Sequence, residues 1–128
     1  MNSREKGKRG ERQWRDELRA NGYMARRGQQ FSGSPDSPDV ICDELSWLHF
    51  EVKVVERLNI EDAMEQARRD ASRKVPIVAH RRNFRRWLVT MDAETFFQFL
   101  RGTLPPEGTG AVRQESSETT AEQEQNNI

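Results

Sequence analysis

Cysteine is nearly missing from this sequence. Cys42 is the only one in 128 residues, so no internal disulfide can staple the fold, and a reducing compartment suits the chain. Histidine is almost as sparse: His49 and His80 stand alone, and no Cys/His cluster has the spacing of a zinc site. Long hydrophobic runs are absent. No stretch approaches the roughly eighteen apolar residues that span a bilayer, and the charged N-terminus has no signal-peptide core, so a soluble, cytoplasmic protein is expected. Apolar residues are few overall, 34% of the chain, which limits the core to one small domain.

Charge is what the sequence has in quantity. The formal balance is zero, but residues 1–90 hold 19 Lys+Arg against 14 Asp+Glu, whereas residues 91–128 hold 2 against 7. A basic body therefore carries an acidic end, a split that suits a nucleic-acid partner although a charge surplus is often only a solvated surface. From Gly102 the chain reads "GTLPPEGTGAVRQESSETTAEQEQNNI", a composition that cannot repay its ordering entropy. The expected organisation is a folded domain over residues 1–101 and an acidic, disordered tail over 102–128.

Within the domain, helical and strand patterns alternate. Residues 3–21 predict a helix stopped by Gly22, with Glu11, Trp14 and Leu18 on its inward face. "GYMARR", "DVIC" and "WLHFEVKVV" predict strands, and residues 58–74 a second helix with Ile60, Ala63, Met64, Ala67 and Ala71 on one stripe. "VPIVAH" and "RWLVT" predict two further strands around the basic turn "RRNFR". Asp92 then starts a last helix, "AETFFQFLR", with a Phe-rich face. The order α-β-β-β-α-β-β-α describes a small α/β domain with a mixed sheet flanked by helices.

The stretch "FSGSPDSPDV" repeats Ser-Pro-Asp, and register separates the two copies. Alternation in "WLHFEVKVV" puts Leu48, Phe50, Val52 and Val54 on one face and His49, Glu51 and Lys53 on the other. Pairing residue 40 with 50 and 42 with 48 in a hairpin keeps the apolar residues together and sets Asp39 opposite Glu51, with Cβ atoms roughly 5 Å apart. Asp36 falls to the loop, and Pro38 opens the strand, where its missing N–H does least harm. Two adjacent carboxylates repel unless a cation lies between them. Mg²⁺ would be held by Asp39, Glu51 and the carbonyl of Val52, with Lys53 beside the attacked phosphate. Alternation alone favours a solvated Glu51 and Lys53 pair on an outer sheet face, with Asp39 a strand-start residue.

Pro38-Asp39 followed by Glu51-Val52-Lys53 resembles the PD-(D/E)XK nuclease superfamily. The wider text "KGKRGERQWRDELRANGY", "FSGSPDSPDV", "FEVKV", "EQAR" and "VPIVAHRRNFRRWLV" is similar to archaeal-type Holliday junction resolvases and their phage relatives, over residues 6–90. The resemblance implies a restriction-endonuclease-like fold and a Mg²⁺-dependent DNA endonuclease, Mn²⁺ substituting, that acts on branched DNA as a homodimer. By position, Glu11 matches an acid of the first helix, Ser32 a serine near the metal, Asp39 and Glu51 the metal-binding acids, Lys53 the catalytic lysine and Gln66 a helix glutamine. The segment from Ser32 to Asp39 departs from the pattern in being short with an extra Ser-Pro-Asp, which leaves Ser34 as an alternative to Ser32. Cleavage of flaps, nicks or duplex by the same fold, and DNA binding without catalysis, are the competing readings.

Basic residues accompany this motif. Lys6, Lys8 and Arg9 near the N-terminus, Arg27 in the first strand, Arg68 and Arg69 in the second helix, and Arg81, Arg82, Arg85 and Arg86 around the turn are expected to contact phosphates without reading sequence. Phe84 and Trp87 are candidates for base stacking, with core packing the better reading of Trp87.

Overall fold

The computed structural model describes residues 3–27 and 40–106 of the chain. Helix α1 (Ser3–Ala20) ends where Tyr23 N–H reaches back to the Leu18 carbonyl at 3.0 Å and Gly22 N–H to that of Arg19 at 3.0 Å. This closure needs a left-handed residue, and Gly22 has φ +91°. Two short strands follow, β1 (Arg26–Arg27) and β2 (Val40–Ile41), paired antiparallel. After a single 3-10 turn (Asp43–Leu45) come β3 (Leu48–Val54), α2 (Ile60–Ala71), β4 (Val75–Arg81), β5 (Leu88–Thr90) and α3 (Ala93–Arg101). The element order is the one the sequence predicts.

The second sheet has the order β3-β4-β5, with β3 parallel to β4 and β5 antiparallel to it. Helix α2 makes the crossover between the parallel strands, as such a connection requires. Each side of the sheet carries a helix. Buried Ala79 joins Trp14 and Leu18 of α1, with Phe50, Val52 and Trp87 packed around them. Buried Val78, pointing the other way, joins Ala63, Met64 and Ala67 of α2. Trp14 meets Phe50 edge-on at 5.4 Å and leans on Trp87 at 4.9 Å, an aromatic arrangement that fixes α1 on β3. At Gly10 the helix comes so close that an added Cβ would lie 3.2 Å from Cγ2 of Val54. Gly10 meets Val54 and Trp14 meets Phe50, so α1 runs antiparallel to β3. Its N-terminus therefore stands at the end where β3 and β4 finish.

One predicted pairing is corrected. Among the described residues β2 pairs with β1, not with β3, so the 40–50 and 42–48 hairpin is not formed. Asp39, expected opposite Glu51, lies outside the described residues, as do Ser32, Ser34 and Asp36. The physical reason is in the connector. Leu45 N–H bonds to the Cys42 carbonyl at 3.0 Å, Glu44 accepts from Met24 N–H at 2.8 Å, and Arg26 pairs with Asp43 at 3.3 Å. These contacts tie the segment after β2 back to the residues around β1. The side-chain part of the expectation survives for Val40, Cys42 and Phe50, which share one core cluster.

The helix starts also differ in chemistry. Asn59 caps α2 by accepting from Asp62 N–H at 3.1 Å. Asp92 occupies the same position on α3 but makes no side-chain cap bond; its carboxylate is taken by the Arg68 guanidinium from α2. A charge-assisted, two-pronged bond outcompetes a single backbone N–H. No helix among the described residues is long and apolar enough to cross a membrane.

Candidate functional site

The site begins with alternation along β3. Phe50, Val52 and Val54 go under α1, so His49, Glu51 and Lys53 take the α2 side, level with Pro76, Val78 and His80 of β4. Glu51 is at the centre of this row, its side chain 14% exposed. Its two oxygens have different neighbours: Oε1 lies 3.5 Å from His49 Nε2, and Oε2 lies 3.6 Å from Lys53 Nζ. A carboxylate so far withdrawn from water requires a positive partner, which Lys53 supplies.

Asp70, near the end of α2, completes the group. Ligand atoms of His49, Glu51 and Asp70 all lie within 4.8 Å of one another. His49 Nε2 is itself buried and makes no hydrogen bond, so its 3.5 Å approach to Glu51 Oε1 is a loose electrostatic contact. An imidazole nitrogen and two carboxylate oxygens at this spacing suit a divalent cation of the Mg²⁺ to Mn²⁺ range, the imidazole favouring the transition metal. His49 and Asp70 are absent from the sequence-derived set. A signal for His49 was present, two residues before Glu51 on the same strand face. None existed for Asp70, which the crossover brings in from α2.

The structure brings Glu51 and Lys53 together, with Val52 between them facing the core. Glu11 is half-buried on α1, the helix that covers the opposite face of β3. Gln66 is half-buried on α2. His80, level with Lys53, bonds to Thr90 Oγ1 at 2.8 Å, and burial pushes its imidazole below the ordinary histidine range.

The basic residues divide by what they touch. Arg81 is structural: Nη2 donates to Gln13 Oε1 at 2.6 Å, and the guanidinium lies 5.0 Å over the Trp87 ring. Trp87 packs in the core, as its sequence alternation implies. Arg68 holds Asp92, which raises the Arg68 guanidinium and lowers the Asp92 carboxyl. Arg69 stays exposed beside it, and the side chain of Arg27 lies outside the described set. Arg82, Arg85 and Arg86 are exposed in the turn after β4, and Lys6 and Arg9 are exposed on α1, with Lys8 half-buried. Because α1 is antiparallel to β3, these last two groups stand at one end of the sheet. Lys53 is the site residue nearest that end.

No protein-family model matches the chain, and neither does any curated protein or solved structure. The functional reading rests on these residues.

Proposed function

We propose that this chain is a metal-dependent endonuclease that hydrolyses phosphodiester bonds in DNA, with branched DNA as its substrate class. The observation that carries the reading is Glu51, a largely buried carboxylate shared between an ammonium and an imidazole, with Asp70 converging on it. Charge pairing explains Lys53. Asp70 is exposed, so solvent screens its charge; what favours a cation is that an imidazole nitrogen and two carboxylates present ligand atoms to one point. The Pro38-Asp39 and Glu51-Val52-Lys53 resemblance supports the same chemistry and adds Asp39 as a further acid.

A divalent cation bound there supplies charge neutralisation at the scissile phosphate and acidifies a water molecule. Glu51 and His49 hold the ligand side of the site, and Asp70 closes it from α2. Glu51 Oε2 holds the Lys53 ammonium beside the site, where it would offset the charge that phosphate oxygens gain during attack. The exposed arginines and lysines at the end of the sheet hold the flanking backbone by charge. A free thiol at Cys42 fits action inside the cell.

The test incubates purified protein with labelled four-way junctions, flaps, duplex and single strands, in Mg²⁺, Mn²⁺ or EDTA. Cleavage is expected only with metal, and Glu51→Ala and Lys53→Ala should each lower it by about 100-fold or more. Variants that cut as well as the wild type would falsify the catalytic assignment. Paired symmetric nicks in the junction support branched DNA as substrate; equal cutting of every duplex removes that narrower claim.

A further inference from the structure

The turn between β4 and β5 contains a residue that the fold does not use. Phe84 is 98% exposed, more than any other large apolar side chain among the described residues. Its backbone is in the left-handed region, φ +62°. Arg85 N–H bonds to the Arg82 carbonyl at 3.1 Å, making Phe84 the third residue of a tight turn. That position with positive φ normally takes Gly or Asn. A bulky aromatic there is strained and buries nothing, so neither local propensity nor packing accounts for it.

The turn is also held in place. Glu56, just beyond β3, accepts from Asn83 N–H at 3.1 Å, and Arg81 at its base is locked on Trp87 and Gln13. Around the ring stand Arg82, Arg85 and Arg86, all exposed. Val78 is level with Glu51, and Arg81 is three residues further along β4, so the turn starts about 10 Å along the strand from the carboxylate row. Its neighbour at that end is the basic start of α1.

We infer that Phe84 is a base-stacking residue, and that the turn grips DNA where bases are unpaired, at a single strand or the open centre of a branch. The arginines attract the phosphates, and the rigid ring offers a face on which any exposed base can stack. Charge and ring together favour a nucleic acid over an anionic bilayer, because one aromatic among arginines and an asparagine lacks the broad apolar face that membrane insertion needs. This inference rests on the nuclease reading for its substrate but not for its test.

The experiment measures binding rather than cutting. Full-length wild type, Phe84→Ala, Phe84→Trp and the Arg82→Gln/Arg85→Gln/Arg86→Gln triple variant are titrated in EDTA against fluorescent single strand, open four-way junction and plain duplex, over a salt series. Phe84→Ala should weaken single-strand and junction binding about tenfold, leave duplex binding within about twofold and leave the salt slope unchanged. Phe84→Trp should restore the loss. The triple arginine variant should weaken binding to all three DNAs and flatten the salt slope. Equal losses on duplex and single strand, or no loss at all, overturn the inference, as does Phe84-dependent binding to anionic vesicles with none to DNA. Metal-dependent cutting that needs Glu51 while Phe84→Ala binds normally removes only this inference; Phe84-dependent binding without any cutting removes only the nuclease reading.

Discussion

Lys53 Nζ stands 3.6 Å from Oε2 of Glu51, two residues away on the same face of one strand. The two form an ion pair. A strand rises about 6–7 Å over that interval, so both side chains must lean toward each other, and each sets the position of the other's charged end. If both serve one transition state, the Glu51→Gln/Lys53→Ala double variant should be no slower than the worse single variant. Multiplied single and double losses in a cleavage assay would mean that they act separately.

Metal binding can be measured without turnover. Titration with Mn²⁺, followed by calorimetry or electron paramagnetic resonance, should show one site that His49→Ala and Asp70→Asn each weaken by about tenfold or more. Mg²⁺ should bind more weakly than Mn²⁺, as expected for an imidazole ligand. If neither substitution changes Mn²⁺ affinity, His49 and Asp70 are not ligands.

His80 gives a pH dependence whose sign is fixed by burial. Its folded value lies below the ordinary 6.5, so just under that pH the unfolded chain binds the proton more readily than the folded one. Stability from the neutral imidazole is present above 6.5 and falls as the solution is acidified through the window below it. Thermal melts from pH 8 to pH 5 should show this decline, and His80→Gln should flatten it. A variant as pH-sensitive as the wild type would remove His80 as the cause.

The α3 surface is the candidate for self-association. Phe96, Phe97 and Leu100 are exposed on it, and Leu88 and Val89 are exposed on β5, the edge strand of its sheet. On α3 itself Phe96 and Phe97 stand side by side, ring centroids 5.8 Å apart, and exposed apolar side chains that adjoin mark interaction sites. We expect a dimer by light scattering, reduced to monomer by Phe97→Glu with Leu100→Glu. A wild-type monomer at micromolar concentration would count against it.

Core packing is testable at Trp14, which contacts both Phe50 and Trp87 from α1. Trp14→Ala should cost about 3–5 kcal/mol, enough to unfold a marginal domain. A denaturant midpoint close to that of the wild type would show that the α1 contact contributes little.

Sequence signals were sufficient wherever the cause was local. Helix α3 runs from Ala93 to Arg101, with Asp92 at its first boundary, though without the cap bond that residue type suggests, and Gly102, with φ +73°, stopping it. Alternation assigned Glu51 and Lys53 to one face of β3 correctly. Pairing partners were another matter. Val40 fits the same core whether β2 lies against β3 or β1, and the Met24–Glu44 and Arg26–Asp43 contacts favour the second. Asp70 and His80 reach the Glu51 row through a parallel crossover, which no short-range pattern encodes. Arg81 read as part of a basic run, yet period-2 placement with Ile77 and Ala79 already pointed it inward.

The buried Cys42 gives the molecule a built-in clock. Burial raises its thiol and shields it, so a thiol reagent can reach it only when the contact of α1 with the chain after β2 opens. No other cysteine competes for the reagent. The labelling rate at Cys42 therefore reports how often the stretch carrying Val40 leaves the core. Slower labelling when DNA or Mn²⁺ is added would show that ligand binding and the closure of this stretch are linked.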